Sequence, residues 1–230
     1  MIELTNVTLS HRGLPVLRDT TLSISPGEAV LLTGETGAGK TTLLRALYGD
    51  HPLNTGRIMV AGTMVNGSSG RNLPKLRRRM GLIFQDDKLL EDRSVYDNIR
   101  FALSITMKGS RAITRRALEI LTELGLSHLR SHMPAQLSAG EAQRIGIARA
   151  LANNPDIILA DEPTGDLDIS TAREILHYLA AHYTHEKIFL ITTHDPILAQ
   201  EAFPYARRWH MEHGSIRQTA PGIRPAPSLR

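Results

Sequence analysis

The sequence contains no cysteine. Disulfides, thiolate zinc sites and cysteine nucleophiles are therefore excluded, and the absence suits a reducing compartment. Aromatic residues are scarce, with one Trp, five Tyr and four Phe among 230 residues. That leaves little for the stacking platforms of single-strand nucleic-acid binders. No apolar run approaches the roughly 20 residues that a membrane-spanning helix needs. The most apolar stretches, 29–32, 157–160 and 188–191, have the length of strands. The first residues, Met1-Ile2-Glu3-Leu4, carry no basic segment followed by an apolar one, so no secretory signal is visible. The chain reads as soluble by itself, with any membrane role coming through a partner. Charge of neither sign dominates: 27 Lys and Arg against 23 Asp and Glu leave a formal +4. Phosphate ligands, an anionic membrane surface and nucleic acid are all compatible with that balance.

What is present is globular in character, 41% hydrophobic and 22% charged, at a length suited to one domain or one domain with a subdomain. Short strands are expected around 2–9, 17–24 and 28–33, separated by Gly13, Pro15, Pro26 and Gly27. A helix follows at about 40–48, then strands at 57–60 and 81–84. From Gln85 to about Pro155 the pattern turns helical. Ser94 and Asp97 fit a capping box, and Ile113, Ala117, Leu121 and Leu124 form a stripe stopped by Gly125. Strand 156–160, helix 171–183, strand 187–192 and a short helix at 196–202 complete the alternation. The pattern predicts an α/β core with a mostly parallel sheet and a helical block inserted at about 86–150. Residues 219–230, with Pro221, Gly222, Pro225 and Pro227, read as a flexible tail.

Between the apolar strand 29–32 and the helix lies Gly34-Glu35-Thr36-Gly37-Ala38-Gly39-Lys40-Thr41, a P-loop pattern. Its glycines let backbone N–H groups turn inward around phosphate oxygens, and the helix N-terminus adds its positive dipole end. Lys40 is placed to reach the β- and γ-phosphates and the Thr41 hydroxyl to ligate Mg²⁺. The bland alternative is a glycine-rich turn. Ile157-Ile158-Leu159-Ala160-Asp161-Glu162 is an apolar strand ending in two acids, the form of a Walker B site. There Asp161 would hold Mg²⁺ directly or through water, leaving Glu162 free as general base toward a water. The alternative is a solvated strand end leading into the Pro163-Thr164-Gly165 turn. Leu137-Ser138-Ala139-Gly140-Glu141 opens a helix, and Ser138 with Glu141 is also a plain capping box.

Taken with Gln85, Gly165-Asp166-Leu167-Asp168 and Thr192-Thr193-His194-Asp195, these motifs resemble the ATP-binding-cassette (ABC) ATPase family over nearly the whole chain, about 1–218. The resemblance implies a P-loop ATPase core with an N-terminal antiparallel β subdomain and the helical subdomain. It implies ATP and Mg²⁺, with Thr41, Gln85 and Asp161 at the metal and Glu162, His194 and Gln85 in catalysis. It implies nucleotide contacts from His11, Gly34, Glu35, Thr36, Gly37, Ala38, Gly39, Lys40, Thr41 and Thr42, and from Ser138, Ala139, Gly140, Glu141 and Asp168. It further implies a head-to-tail homodimer, with each ATP between one protomer's P-loop and the other's Ser138, Ala139, Gly140 and Glu141. Ala139 and Glu141 stand where the commonest family form has Gly and Gln, and His11 where many relatives place an adenine-stacking aromatic.

The run Phe84-Gln85-Asp86-Asp87-Lys88-Leu89-Leu90-Glu91-Asp92-Arg93-Ser94-Val95-Tyr96-Asp97-Asn98 is similar to the FtsE branch of cell-division ATPases. That branch implies an integral membrane partner resembling FtsX, a place on the cytoplasmic face of the bacterial inner membrane, and signalling to cell-wall hydrolases. The alternative is the ATPase of a lipoprotein-releasing or export transporter of the wider group that includes LolD and MacB. A DNA-bound ABC protein would need sustained heptads or zinc-binding cysteines, and the sequence has neither. A nucleotide-gated clamp without catalysis needs neither Glu162 nor His194. The basic run Arg77-Arg78-Arg79, with Arg71 and Lys75, reads as a solvated face that could also touch phosphates or lipid headgroups.

Overall fold

The computed structural model describes residues 1–65, 72–86, 88–165 and 167–222. Two sheets carry the fold. Strands β1 (Ile2–His11) and β2 (Leu14–Ile24) pair antiparallel through a two-residue turn. Arg12 and Gly13 both hold positive φ there, as a hairpin turn matched to strand twist requires. β4 (Thr55–Val60) and β5 (Thr63–Met64) extend this sheet in the order β2-β1-β4-β5. This is the antiparallel subdomain that the family resemblance implied.

The second sheet runs β10-β9-β3-β8-β7-β6. Its members are β3 (Ala29–Thr33), β6 (Met80–Ile83), β7 (Ile157–Asp161), β8 (Ile188–Thr192), β9 (Arg207–Glu212) and β10 (Ser215–Ala220). All neighbours pair parallel except β9 with β10. Sheets of this kind need both faces covered, and alternate residues meet different cores. Val30, Leu32, Leu159 and Leu190 join a core with the antiparallel sheet and α1 (Lys40–Leu47). Leu31, Ile158, Phe189 and Ile191 join a core with α6 (Ile169–Ala181) and α7 (Pro196–Ala202).

The inserted block has its own core, built from α3 (Val95–Ser104), α4 (Ser110–Glu123) and α5 (Ala139–Leu151). Ile113, Ala117 and Leu121 of the expected stripe are buried there, joined by Ile120. At the start of α3 the Asp97 N–H donates to Ser94 Oγ (3.1 Å), but the Asp97 carboxylate takes the Ser94 hydroxyl rather than its N–H. Half of the expected box is realised, because aspartate is one methylene shorter than glutamate.

Several elements depart from the sequence reading. The short helix α2 (Leu73–Arg77) and the hairpin of β9 and β10 were not expected. β10 continues to Ala220, two residues past the expected domain end at 218, because its ladder with β9 reaches Arg208. Most of the expected tail, 223–230, lies outside the described residues, as do Arg71, Asp87 and Asp166. The basic run is not simply solvated. Arg77 donates from Nε to Tyr48 O (2.9 Å) and from Nη2 to Gly49 O (3.2 Å), closing the C-terminal end of α1. Arg79 pairs with Asp156 at 2.7 Å.

Candidate active site

The phosphate loop follows from where β3 ends and α1 begins. Gly34, Gly37 and Gly39 hold positive φ of 148°, 84° and 105°. At Gly39 a side chain would also collide with Val16 and Met211, at 2.8 and 2.9 Å from its Cβ position. Gly39 is the N-cap of α1 and offers no side-chain cap, so the first N–H groups of the helix stay open to a ligand.

Lys40 is 5% exposed and its ammonium is fully engaged. Nζ donates to Gly34 O (2.8 Å) and Glu35 O (3.1 Å) and lies 3.3 Å from Glu162 Oε1. A buried charge persists only with such partners. On the other side of Glu162, Oε2 accepts from His194 Nδ1 at 3.2 Å. Because a carboxylate only accepts, the His194 proton sits on Nδ1.

Glu162 holds φ +45°, a conformation that costs a side-chain-bearing residue about 1–3 kcal/mol. Neighbours fix it. The Glu162 N–H donates to Thr192 Oγ1 (2.9 Å), while the Thr192 hydroxyl donates to Asp161 Oδ1 (2.8 Å). Thr192 is fully buried at the end of β8 and so orients both acids at the end of β7.

His11, Thr36, Gly37, Gly39, Lys40, Thr41, Thr42, Gln85, Glu162 and His194 line one cleft of about 540 Å³. Thr41, Gln85 and Asp161 share an adjoining cavity of about 250 Å³. These three side chains offer hard oxygen donors and few of them, which fits Mg²⁺, an ion that keeps waters and phosphate oxygens in its shell. His11 is exposed at the cleft, its ring stacked on His51 with centroids 6.3 Å apart. Gly34 and Glu35 contribute their carbonyls to Lys40, and Ala38 closes the loop by donating its N–H to Glu35 O (3.1 Å).

Ser138, Ala139, Gly140, Glu141 and Asp168 do not line that cleft. Ser138 and Glu141 form the full capping box of α5: Ser138 N and Oγ each donate to Glu141 Oε2 at 2.8 Å, and Glu141 N donates to Ser138 Oγ at 3.3 Å. Those two donors hold the Glu141 carboxyl below the usual carboxylate range. Asp168 caps α6, accepting from the Ser170 hydroxyl and from Thr171 N (3.0 Å), which holds its carboxyl well below the usual carboxylate range as well. Gly140 is needed for packing, since a Cβ there would stand 2.9 Å from Thr171 Cγ2. Asp166, between Gly165 and Leu167, lies outside the described residues.

Residues missed from sequence are Thr192, Gln143 and Asn98, all buried and polar. Thr192 closes an apolar run and looked like strand. Gln143 and Asn98 stand at core positions of their helices, where a polar residue is itself a signal.

A family profile described as "ABC transporter" matches residues 17–165. The chain is 39% identical over 196 residues to "Cell division ATP-binding protein FtsE" of Streptococcus pneumoniae, covering 85% of each. It is 42% identical over 197 residues to the protein of the same name in Mycobacterium tuberculosis, covering 85% of this chain and 86% of that one. Among solved structures, a dimeric ATP-binding cassette in a post-hydrolysis state, bound to ADP and Pi, superposes with a TM-score of 0.85 at 31% identity. That match covers 96% of this chain and 99% of the other.

Proposed function

We propose, from the premise that the chain belongs to the ABC transporter family of ATPases, that it is the ATP-hydrolysing subunit of a membrane complex in bacterial cell division, an FtsE counterpart acting with a partner of the FtsX kind. The observation that carries the catalytic part is the convergence of Lys40, Glu162 and His194 in the P-loop cleft.

In this reading the phosphate chain of ATP lies along the open first N–H groups of α1. Its oxygens replace Gly34 O, Glu35 O and Glu162 Oε1 as acceptors for Lys40. Glu162 is then released toward a water in line with the γ-phosphate and takes its proton. His194 Nδ1–H keeps that carboxylate oriented through Oε2. Thr41, Gln85 and Asp161 would hold Mg²⁺, which supplies charge neutralisation at the phosphates when bound. His11 offers its ring to adenine.

Ser138, Ala139, Gly140 and Glu141 have no role at their own chain's cleft, which supports a head-to-tail dimer in which they meet the nucleotide of the other protomer. The N-terminus of α5 would bring a second dipole end to the γ-phosphate. Loss of that phosphate on hydrolysis would then part the protomers. Asp168 would sit at the same dimer seam.

No described helix is long and apolar enough to cross a membrane. A groove of about 490 Å³ between β6 and α3 supports docking of a membrane protein's cytoplasmic helix. Phe101 and Ile105, 42% and 50% exposed, line it with Met80, Leu82 and Leu90, and Arg77, Arg78 and Arg149 stand at its side. Residues 1–220 would be the cassette, with the helical block 86–150 moving against the core. The complex would sit at the cytoplasmic face of the inner membrane and pass dimer closure to cell-wall hydrolases.

The test is Glu162→Gln with ATP, used to pull the partner from solubilised membranes. ATP affinity is expected to persist, turnover to be nearly lost, an ATP-dependent dimer to accumulate and an FtsX-like protein to co-purify. Unchanged turnover removes Glu162 from its role. Recovery of a lipoprotein-transporter subunit instead favours the transport reading.

A further inference from the structure

Helix α5 reaches the acid of its own chain through one side chain. Gln143, 5% exposed, lies on the inner face of α5, little more than a turn after Ser138. Its Nε2 donates to Pro163 O at 2.7 Å and to Phe84 O at 3.2 Å. Pro163 follows Glu162, and Phe84 precedes Gln85. The two carbonyls belong to the exits of neighbouring parallel strands, β7 and β6, paired up to Ile83 with Ala160.

Beyond the turn bond from Gly165 N to Glu162 O, two side chains anchor the backbone at Glu162. Thr192 holds its N–H from the β8 side. Gln143 holds the next carbonyl from the α5 side. A residue at φ +45° stays there only while its surroundings over-determine it. Releasing the carbonyl of Pro163 lets the 162–163 backbone relax, and the carboxylate then loses the position from which it meets His194 Nδ1 and faces the cleft. The same amide fixes the carbonyl just ahead of Gln85, so both cleft residues at the sheet exits respond to one group on α5.

We infer that Gln143 is the positioning residue that ties the N-terminal turn of α5 to Glu162 and Gln85, so that nucleotide engaged at α5 by a second protomer sets the catalytic geometry of this one. The inference rests on the function proposed above, in which Glu162 handles the water's proton and α5 meets the opposite ATP.

The experiment is steady-state ATP hydrolysis by the full chain in four forms: parent, Gln143→Met, Glu162→Gln and the double variant. Methionine keeps the volume and removes both donors. Gln143→Met is expected to lower kcat about tenfold or more with KM within about twofold, and to change the Glu162→Gln chain by less than about twofold, because residues acting through one group are not additive. Parental turnover in Gln143→Met beside a silenced Glu162→Gln overturns the inference alone. So does a raised KM with intact kcat, or an equal further loss in both backgrounds, each the mark of a merely structural residue. Parental turnover in Glu162→Gln overturns the functional reading and this inference with it. If Gln143→Met does not fold, Gln143→Asn, one methylene too short to span both carbonyls, carries the same expectation and the same overturning results.

Discussion

Lys40 Nζ and Glu162 Oε1 stand 3.3 Å apart across the floor of the cleft, with Lys40 almost wholly buried and Glu162 partly so. The P-loop cation and the strand-end acid are thus each other's partners. Anything that brings phosphate oxygens to Lys40 acts on Glu162 as well. In the function proposed above, binding and catalysis would share one ion pair, whose separation a substrate's own charge can drive.

Removing the cation tests that link. Lys40→Ala deletes three donated contacts, two to carbonyls and one to a carboxylate. Charge-assisted hydrogen bonds contribute about 1.5–3 kcal/mol, so ATP affinity is expected to fall roughly 10- to 100-fold. Titration with a fluorescent ATP analogue measures it, and parental affinity would contradict the P-loop assignment.

The cap of α5 makes a second, pH-dependent prediction. Ser138→Ala removes a cap hydroxyl that typically contributes about 1 kcal/mol, so urea unfolding at pH 7 should show a loss of that size. Turnover should fall further than the stability loss explains if Ser138 also serves the opposite nucleotide. Glu141 carries the pH term. Its carboxyl is held low by the Ser138 N–H and hydroxyl, so the cap stabilises fully above the unfolded value near 4.3 and loses that contribution as pH falls through the lowered folded value. Relative to Glu141→Gln, which has no proton to gain, the parent chain should lose stability below about pH 4. The exposed site keeps the effect well under about 1 kcal/mol.

The loop after Gln85 depends on one buried amide. Asn98 Oδ1 accepts from Leu90 N (2.8 Å), and Nδ2 donates to Leu90 O, Arg93 O and Ser94 O, each at 3.1 Å. Asn98→Ala takes this partner from Leu90 N and Arg93 O, while Leu90 O and Ser94 O still accept from Arg93 N and Asn98 N; an orphaned buried group costs about 1–3 kcal/mol. We expect at least about 2 kcal/mol of lost stability in thermal unfolding. ATP affinity should stay within about twofold, while capture of the proposed membrane partner drops, because Leu90, which the amide holds, lines that groove. Equal losses in both would place the loop's effect at the nucleotide instead.

The readable parts of this chain were those whose physics is local. Glycines at 34, 37 and 39 announce a loop that needs positive φ, five-residue apolar runs announce strands buried on both faces, and Ser138 with Glu141 announces a helix start whatever else they do. Even Lys40, Asp161, Glu162 and His194 could be named from motif order. The missed β9–β10 hairpin has no such signature, since Arg207-Arg208-Trp209-His210-Met211-Glu212 alternates only weakly.

Sequence determined the class of fold, the phosphate loop and the identity of the acids, because each follows from backbone preference and spacing within a few residues. Tertiary structure decided which groups touch. That Thr192 orients Asp161 and Glu162, that Arg77 closes α1, and that Gln143 grips the carbonyls of Phe84 and Pro163 are contacts between segments about 20 to 60 residues apart. They exist only because the parallel sheet sets β6, β7 and β8 side by side and lays α5 across their ends, and no local pattern encodes that juxtaposition.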